Sequence, residues 1–328
     1  MGYQHNQFVL NIVKPSYTIQ KQKTIIMKKQ KTNLVILILI LGQFISGCQQ
    51  GQRQEAADLL SDSFQQGDLR LNDAMIAEII SSVPNPIEIT SILQKTGVVY
   101  SQDLLNPAGN KSNYNTNFQR ALNLGVYGTD LIYMNIYDRT VATLRYLSNL
   151  RELAGDLRVE QFFDYSTLNR LSESSKNADS VLYITNSGFD KMSRYLIDQG
   201  RSNIAILISA GTWIESLYIA THAQTTAANR ETINKRIGEQ KKVLDNLLLL
   251  MNSYDQNSNF EELVNDLMKV KNEFDNVTIT YQYAEPSIKE SDGMLIVVDN
   301  SRSIVEISDE TVENIARAIA LIRNNIIE

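Results

Sequence analysis

The stretch FQRALNLGVYGTDLIYMNIYDRTVATLRYLSNLRELAG, residues 118–155, decides the fold class. Its apolar side chains recur at steps of three and four, the spacing of one buried helical face, and nowhere alternate as in a half-buried strand. The periodicity falters between Asn135 and Asp138 and resumes with Val141, Leu144, Leu147, Leu150 and Leu153, so the stretch predicts two helices joined by a short turn. Gly125 and Gly128 lie inside the first helix with no strand before them and no Gly-Lys-Ser/Thr after them, which argues against a phosphate loop. Glycine there lets a neighbouring helix come close, at a local cost of about 1 kcal/mol against alanine.

The same periodicity extends outward. Leu71, Met75, Ile76, Ile79, Ile80 and Val83 mark one helix face. Asn85-Pro86-Ile87-Glu88 supplies an N-cap, a first-turn proline and a capping-box glutamate for a short helix closed by Gly97. Residues 101–117, SQDLLNPAGNKSNYNTN, read as a loop. Further helices fit 178–199, 203–222, 231–251 and 260–274, the last starting at a second capping box, Ser258-Asn259-Phe260-Glu261. VTITYQY (277–283), MLIVV (294–298) and SIVEI (303–307) then predict short strands, and a final helix starts at Ser308, with Val312, Ile315, Ile319, Ile322 and Ile326 on one face. The expected class is all-α, a multi-helix bundle of helical hairpins, with a small C-terminal β-appendage.

The single cysteine answers a different question. Ile45-Ser46-Gly47-Cys48 follows a basic segment, Met27-Lys28-Lys29-Gln30-Lys31, and an eight-residue apolar run, Leu34–Leu41, far short of the roughly 18 residues that span a bilayer. Small residues before a lone cysteine are the pattern of a bacterial lipoprotein signal; the competing reading is an uncleaved anchor helix with an incidental thiol. The expected organisation is an over-extended start (1–26), a signal peptide (27–47), a polar tether (48–56), a helical domain (57–275), and strands plus terminal helix on that same domain (276–328). Lipid on Cys48 would then hold the chain to a membrane of the cell envelope, at the periplasmic face of the outer membrane. Several acyl chains anchor firmly, at about 0.8 kcal/mol per buried methylene.

Six of the 31 basic residues and none of the 37 acidic ones precede Cys48, so the 281 residues from Cys48 onward carry 25 basic against 37 acidic side chains, a net charge of −12. That balance argues against nucleic acid, which needs clustered Lys and Arg. The expected partners are the membrane and an envelope protein or a small ligand.

The segments NLGVYGTDLIY (123–133), GTWIESLYIATH (211–222), DLLNP (103–107) and LIDQGRSNIAIL (196–207) resemble an uncharacterised group of helical bacterial lipoproteins over residues 85–222. The resemblance implies fold class and location and carries no activity.

Chemical constellations are scarce. Asp299-x-Ser301-x-Ser303 after an apolar run has the form of a von Willebrand A-type metal motif, but in that family it ends the first strand, and only 25 residues follow Ser303 here. A polar hairpin turn is the expectation. His222 is the one histidine after Cys48, too few for a His/Cys zinc site or a nucleophilic triad, and its place at a helix end suits the helix dipole. No metal or cofactor is expected. Tyr127, Tyr133, Tyr137, Tyr146, Phe162, Phe163 and Tyr165 crowd the first hairpin, with Trp213 and Tyr218 in a second, as core or as pocket lining.

Gly128-Thr129-Asp130-Leu131-Ile132 and Gly211-Thr212-Trp213-Ile214-Glu215 echo one another. Each apolar helix carries an acid followed, at three-and-four steps, by aromatic or imidazole groups: Asp130, Tyr133 and Tyr137 in one, Glu215, Tyr218 and His222 in the other. A carboxylate among such apolar neighbours costs several kcal/mol unless paired or wet, so these six form the candidate binding surface, or else a polar network that sets helix register. The functional expectation is a helical binding or assembly module, with a carboxylate- or tyrosine-based hydrolase in a helical cleft as the alternative. Metabolic labelling with an alkyne fatty acid should tag the wild type and leave Cys48→Ala dark; equal labelling of both would defeat the anchor assignment.

Overall fold

The structure, a computed structural model, describes residues 71–163, 165–166, 178–254, 258–291, 294–298 and 300–328. Cys48 and the segments before and just after it lie outside the described residues, as does Asp299 of the metal-like motif. Nine α-helices stand among the described residues: α1 Asp73–Ser82, α2 Pro86–Lys95, α3 Asn117–Ile136, α4 Thr140–Asp156, α5 Ala178–Asp198, α6 Ser202–His222, α7 Ala227–Asn252, α8 Ser258–Phe274 and α9 Asp309–Ile327. The protein is all-α with a small β-appendage near its C-terminus.

Helix ends follow local chemistry. Asn85 caps α2 by accepting from Ile87 N at 3.0 Å, and Gly97 ends it at φ +75° with Val98 N donating to Leu93 O. Glu88 does not complete the expected capping box; it reaches instead to Arg236 of α7 at 3.2 Å. Thr116 and Gln119 form a reciprocal box on α3. α3 stops at Asp138, which takes the left-handed φ of 55° while Arg139 N closes back on Met134 O. Ser258 is already the first helical residue of α8 rather than its cap.

α6 organises the rest. Residues Ile204 to Ile208 are buried in succession, so the helix is apolar all round and lies at the centre, with α1, α2, α3, α5, α7 and α9 packed against it. It is long and apolar enough to cross a membrane by length and composition, yet its apolar window is mostly buried inside the protein. The α3–α6 contact is close because two glycines meet it from opposite sides. A Cβ on Gly125 would strike the Ile208 carbonyl, and one on Gly211 would strike the Leu122 backbone. Packing therefore accounts for Gly125, as expected. Two expected core residues face outward: Met75 is 42% exposed and Leu144 43%. On α4 the inward face is instead that of Tyr146, Leu147, Leu150, Leu153 and Ala154, which leaves Leu144 on its flank.

Residues 101–117 are no loose loop. Two 3-10 turns, Gln102–Leu104 and Ala108–Asn113, shape them, and Leu104, Leu105, Asn106 and Tyr114 are buried. Near the C-terminus β1 (Thr278–Gln282) pairs antiparallel with β4 (Arg302–Glu306), and β2 (Ser287–Ser291) with β3 (Met294–Val298). β2 was not expected, because Ser287-Ile288-Lys289-Glu290-Ser291 offers a single apolar residue to an alternation test. Between the ladders Ser301 Oγ accepts from Ala284 N at 3.2 Å, and Asn300 Nδ2 donates to Glu285 O at 2.7 Å. Ser303 sits within β4 opposite Tyr281. These residues of the metal-like motif serve strand pairing. α9 then starts on its expected cap, Ser308, which accepts from Thr311 N at 3.1 Å.

Gly211→Ala should lower stability by about 1–3 kcal/mol, the strain of overpacking exceeding the gain in helix propensity. Urea denaturation checks this, and an unshifted midpoint would mean that the two backbones do not touch there.

Candidate functional site

Asp130 on α3 and Glu215 on α6 come together in the core, each 0% exposed. Their neutralising cation comes from a third helix. Arg323 of α9, 4% exposed, donates through Nε to Glu215 Oε2 and through Nη2 to Glu215 Oε1, both at 3.0 Å. Nη2 also donates to Leu104 O at 3.0 Å, and the guanidinium lies 4.4 Å from the centre of the Tyr218 ring. Burial pulls the Arg323 pKa down, but the Glu215 carboxylate outweighs it and the net movement is upward.

One cation serves two acids. Asp130 Oδ2 accepts from Asn106 N at 3.1 Å, whereas Oδ1 is sealed from solvent with no donor in reach. Burial first, and the neighbouring Glu215 second, raise the Asp130 pKa well above its ordinary value of 3.8. The rise favours a proton on Asp130, and the hydrogen bond between its side chain and that of Glu215 adds to it.

Asn106, itself fully buried, extends the network. Its Nδ2 donates to Tyr114 Oη at 2.9 Å and Asn123 Oδ1 at 3.2 Å, and its carbonyl accepts from Tyr146 Oη at 2.8 Å. The far side of this network closes the end of α9, where carbonyls have no intrahelical partner. Tyr114 and Asn110 donate to Ile327 O, and Asn123 to Ile326 O. Hence Asn110 and Tyr114 of 101–117, with Asn123 of α3, hold the last helix in place.

The other candidates divide. Tyr133 and Tyr137 join Tyr100 in an aromatic cluster, with ring centres 5.3 Å apart for Tyr100–Tyr133 and 4.9 Å for Tyr133–Tyr137, and Arg139 lies 4.6 Å over Tyr100. Tyr133 Oη accepts from Ser101 N and Tyr137 Oη donates to Val98 O, so both tyrosines clamp the backbone before the loop. Burial raises the pKa of Tyr100, Tyr133, Tyr137 and Tyr146, which keeps all four protonated near neutrality. Tyr218 and His222 stack at 4.2 Å beside Arg323. His222 Nδ1 lies 2.9 Å from Tyr218 O. Its pKa is lowered, by burial first, with Arg323 adding to the effect against the raising influence of the Tyr218 carbonyl. The helix dipole does not prevail there.

Arg323 was absent from the sequence-derived candidates. The signal for it was thin: a basic side chain beside Ile322 on the inward face of the last helix.

An open cleft of about 1080 Å³ adjoins this network, between residues 100–109 and the α3–α4 turn. Tyr100, Asp103, Asp138, Arg139, Arg145 and Tyr146 line it, and none of the six candidate residues does. Tyr146 connects the cleft to Asn106 and so to Asp130. No protein-family model, no curated protein and no solved structure matches this chain.

Two variants test the Asp130–Glu215 pair. Glu215→Ala leaves Arg323 buried without its partner and should cost about 3–5 kcal/mol. Asp130→Asn keeps a donor towards Glu215 and should leave stability near wild type at acid pH. Because the folded-state pKa of Asp130 lies above 3.8, its contribution is full below that value and is lost as pH rises through the raised one. The wild type should thus lose stability relative to Asp130→Asn on raising the pH, as read by paired thermal melts; parallel curves would mean that folding does not raise the Asp130 pKa.

Proposed function

We propose that the chain is a helical binding module of the cell envelope, tethered to the outer membrane at its periplasmic face through lipid on Cys48, and that it engages an envelope protein. The observation that supports this is the division between enclosed and open chemistry. The charges that cluster, Asp130, Glu215 and Arg323, are spent on one another beneath the surface, where no substrate reaches them. The cleft beside them is open and, at about 1080 Å³, stands at the upper end of the roughly 300–1,000 Å³ typical of small-ligand pockets, a size that also admits a protein segment. It presents arginine and tyrosine, the residue types that dominate binding hot spots, with Asp103 and Asp138 at its edge.

The alternative, a carboxylate-based hydrolase, draws on the same Asp130–Glu215 pair, since two neighbouring carboxyls, one of them with a raised pKa, are the equipment of acid–base hydrolysis. It requires those groups to be reached by water and substrate.

Exposed Arg145 separates the two readings. A photo-crosslinker placed in the cleft should capture the same envelope component from native membranes repeatedly, and Arg145→Glu should abolish that capture with an unchanged melting temperature. Capture indifferent to Arg145→Glu, together with a hydrolytic turnover lost in Asp130→Asn, would replace the module with the enzyme.

A further inference from the structure

A second cleft, of about 510 Å³, opens on another side of α3, bounded by α5, α6 and the α1–α2 turn. Its volume is within the range of small-ligand pockets, about 300–1,000 Å³. Its chemistry differs from that of the arginine-lined cleft. Among the described residues no lysine, arginine or histidine lines it, and its two ionisable residues, Glu88 and Asp190, are both acids. Glu88 is engaged by Arg236, whereas Asp190 makes no hydrogen bond or ion pair with the described residues, and anionic ligands are accordingly disfavoured.

Hydroxyls supply the second observation. Serine and threonine within helices usually return their hydroxyl to a carbonyl one turn back. Thr129, Thr143, Ser216 and Thr221 do so here, whereas Thr185 of α5, sealed in the core, does not. Ser193 of α5 and Ser209 and Thr212 of α6 do not either; their hydroxyls have no partner among the described residues, and all three line this cleft. Ser209 is only 8% exposed, yet its hydroxyl is not among the sealed atoms of the core, so it opens to the cleft. A hydroxyl offers one donor and two acceptor positions, and a carboxylate accepts from up to four donors. Unspent groups of this kind match a ligand that itself carries many hydroxyls.

Apolar surface provides the third. The Phe189 ring lies over Gly128, where a Cβ would collide with its edge, and Pro84 and Pro86 line the cleft as well. A pyranose presents a ring of hydroxyls around C–H faces, and those faces pack on such rings.

The geometry points to a binding site for a short neutral saccharide, held by Asp190, Ser193, Ser209 and Thr212 and packed against Phe189. This inference rests on the binding-module reading and gives it a ligand class, at a place separate from the arginine-lined cleft. Asp190 accepts from two sugar hydroxyls, while the serine and threonine hydroxyls donate or accept according to the sugar's orientation.

The test uses the full chain in detergent on an array of neutral oligosaccharides, including maltotriose and N,N′,N″-triacetylchitotriose, with sulfated and uronic-acid oligosaccharides as anionic probes. At least one neutral probe should bind with submillimolar Kd. Asp190→Asn with Ser193→Ala should weaken that binding at least tenfold with the melting temperature unchanged, and Arg145→Glu should leave it intact. Binding of no neutral probe, preference for the anionic probes, or indifference to the Asp190/Ser193 pair would each overturn the saccharide site. If the site fails while capture in the arginine-lined cleft survives, the binding module stands without it; if both fail, the module falls too.

Discussion

Burying an ion costs several kcal/mol even after the surroundings relax, and this protein buries three ionisable groups at the junction of three helices. The arrangement holds because Arg323 makes two parallel bonds to Glu215 and a third to the Leu104 carbonyl, with an aromatic face beneath. Lysine could satisfy one carboxylate oxygen but not this fork. The net worth of such a cluster against an apolar replacement is small; what it supplies is geometry. An α9 shifted by one residue along α6 would strand two acids in the core, so the cluster permits a single docking position for the last helix.

Docking in turn orders the segment that carries no long helix of its own. Leu104 offers its carbonyl to Arg323, Asn106 its N–H to Asp130, and Tyr133, Tyr137 and Tyr146 hold the backbone at Ser101, Val98 and Asn106. Backbone groups of an irregular segment, buried where water cannot serve them, are thereby satisfied by side chains from α3, α4 and α9. The open cleft is walled by that same segment. Its shape is thus a consequence of interactions in the core.

Much of this was legible in the sequence. Helices α2 to α9 follow from periodicity and from caps such as Asn85, Gly97 and Ser308, because those signals act within one or two turns of chain. The meeting of Asp130 with Glu215 followed from a misfit: two acids in otherwise apolar helices must be compensated. What compensates them was not legible, since Arg323 lies 108 residues from Glu215 and local spacing is silent on it. The tyrosines show a related limit. Tyr133 shares a helix face with Asp130, but its hydroxyl extends to Ser101 and its ring to Tyr100, an outcome set by the path of a loop and not by the helix. β2 escaped notice because a strand with little apolar content is defined by its partner, β3.

The separation of Glu215 from Arg323 also bears on how the chain becomes folded in time. Helices α3 and α6 can form and meet early, but the acid at position 215 has no counter-charge until residue 323, 108 residues further along the chain, arrives. Until α9 docks, α6 lacks the helix that covers one of its faces and Glu215 lacks the cation that holds it. Such an intermediate remains loosely packed.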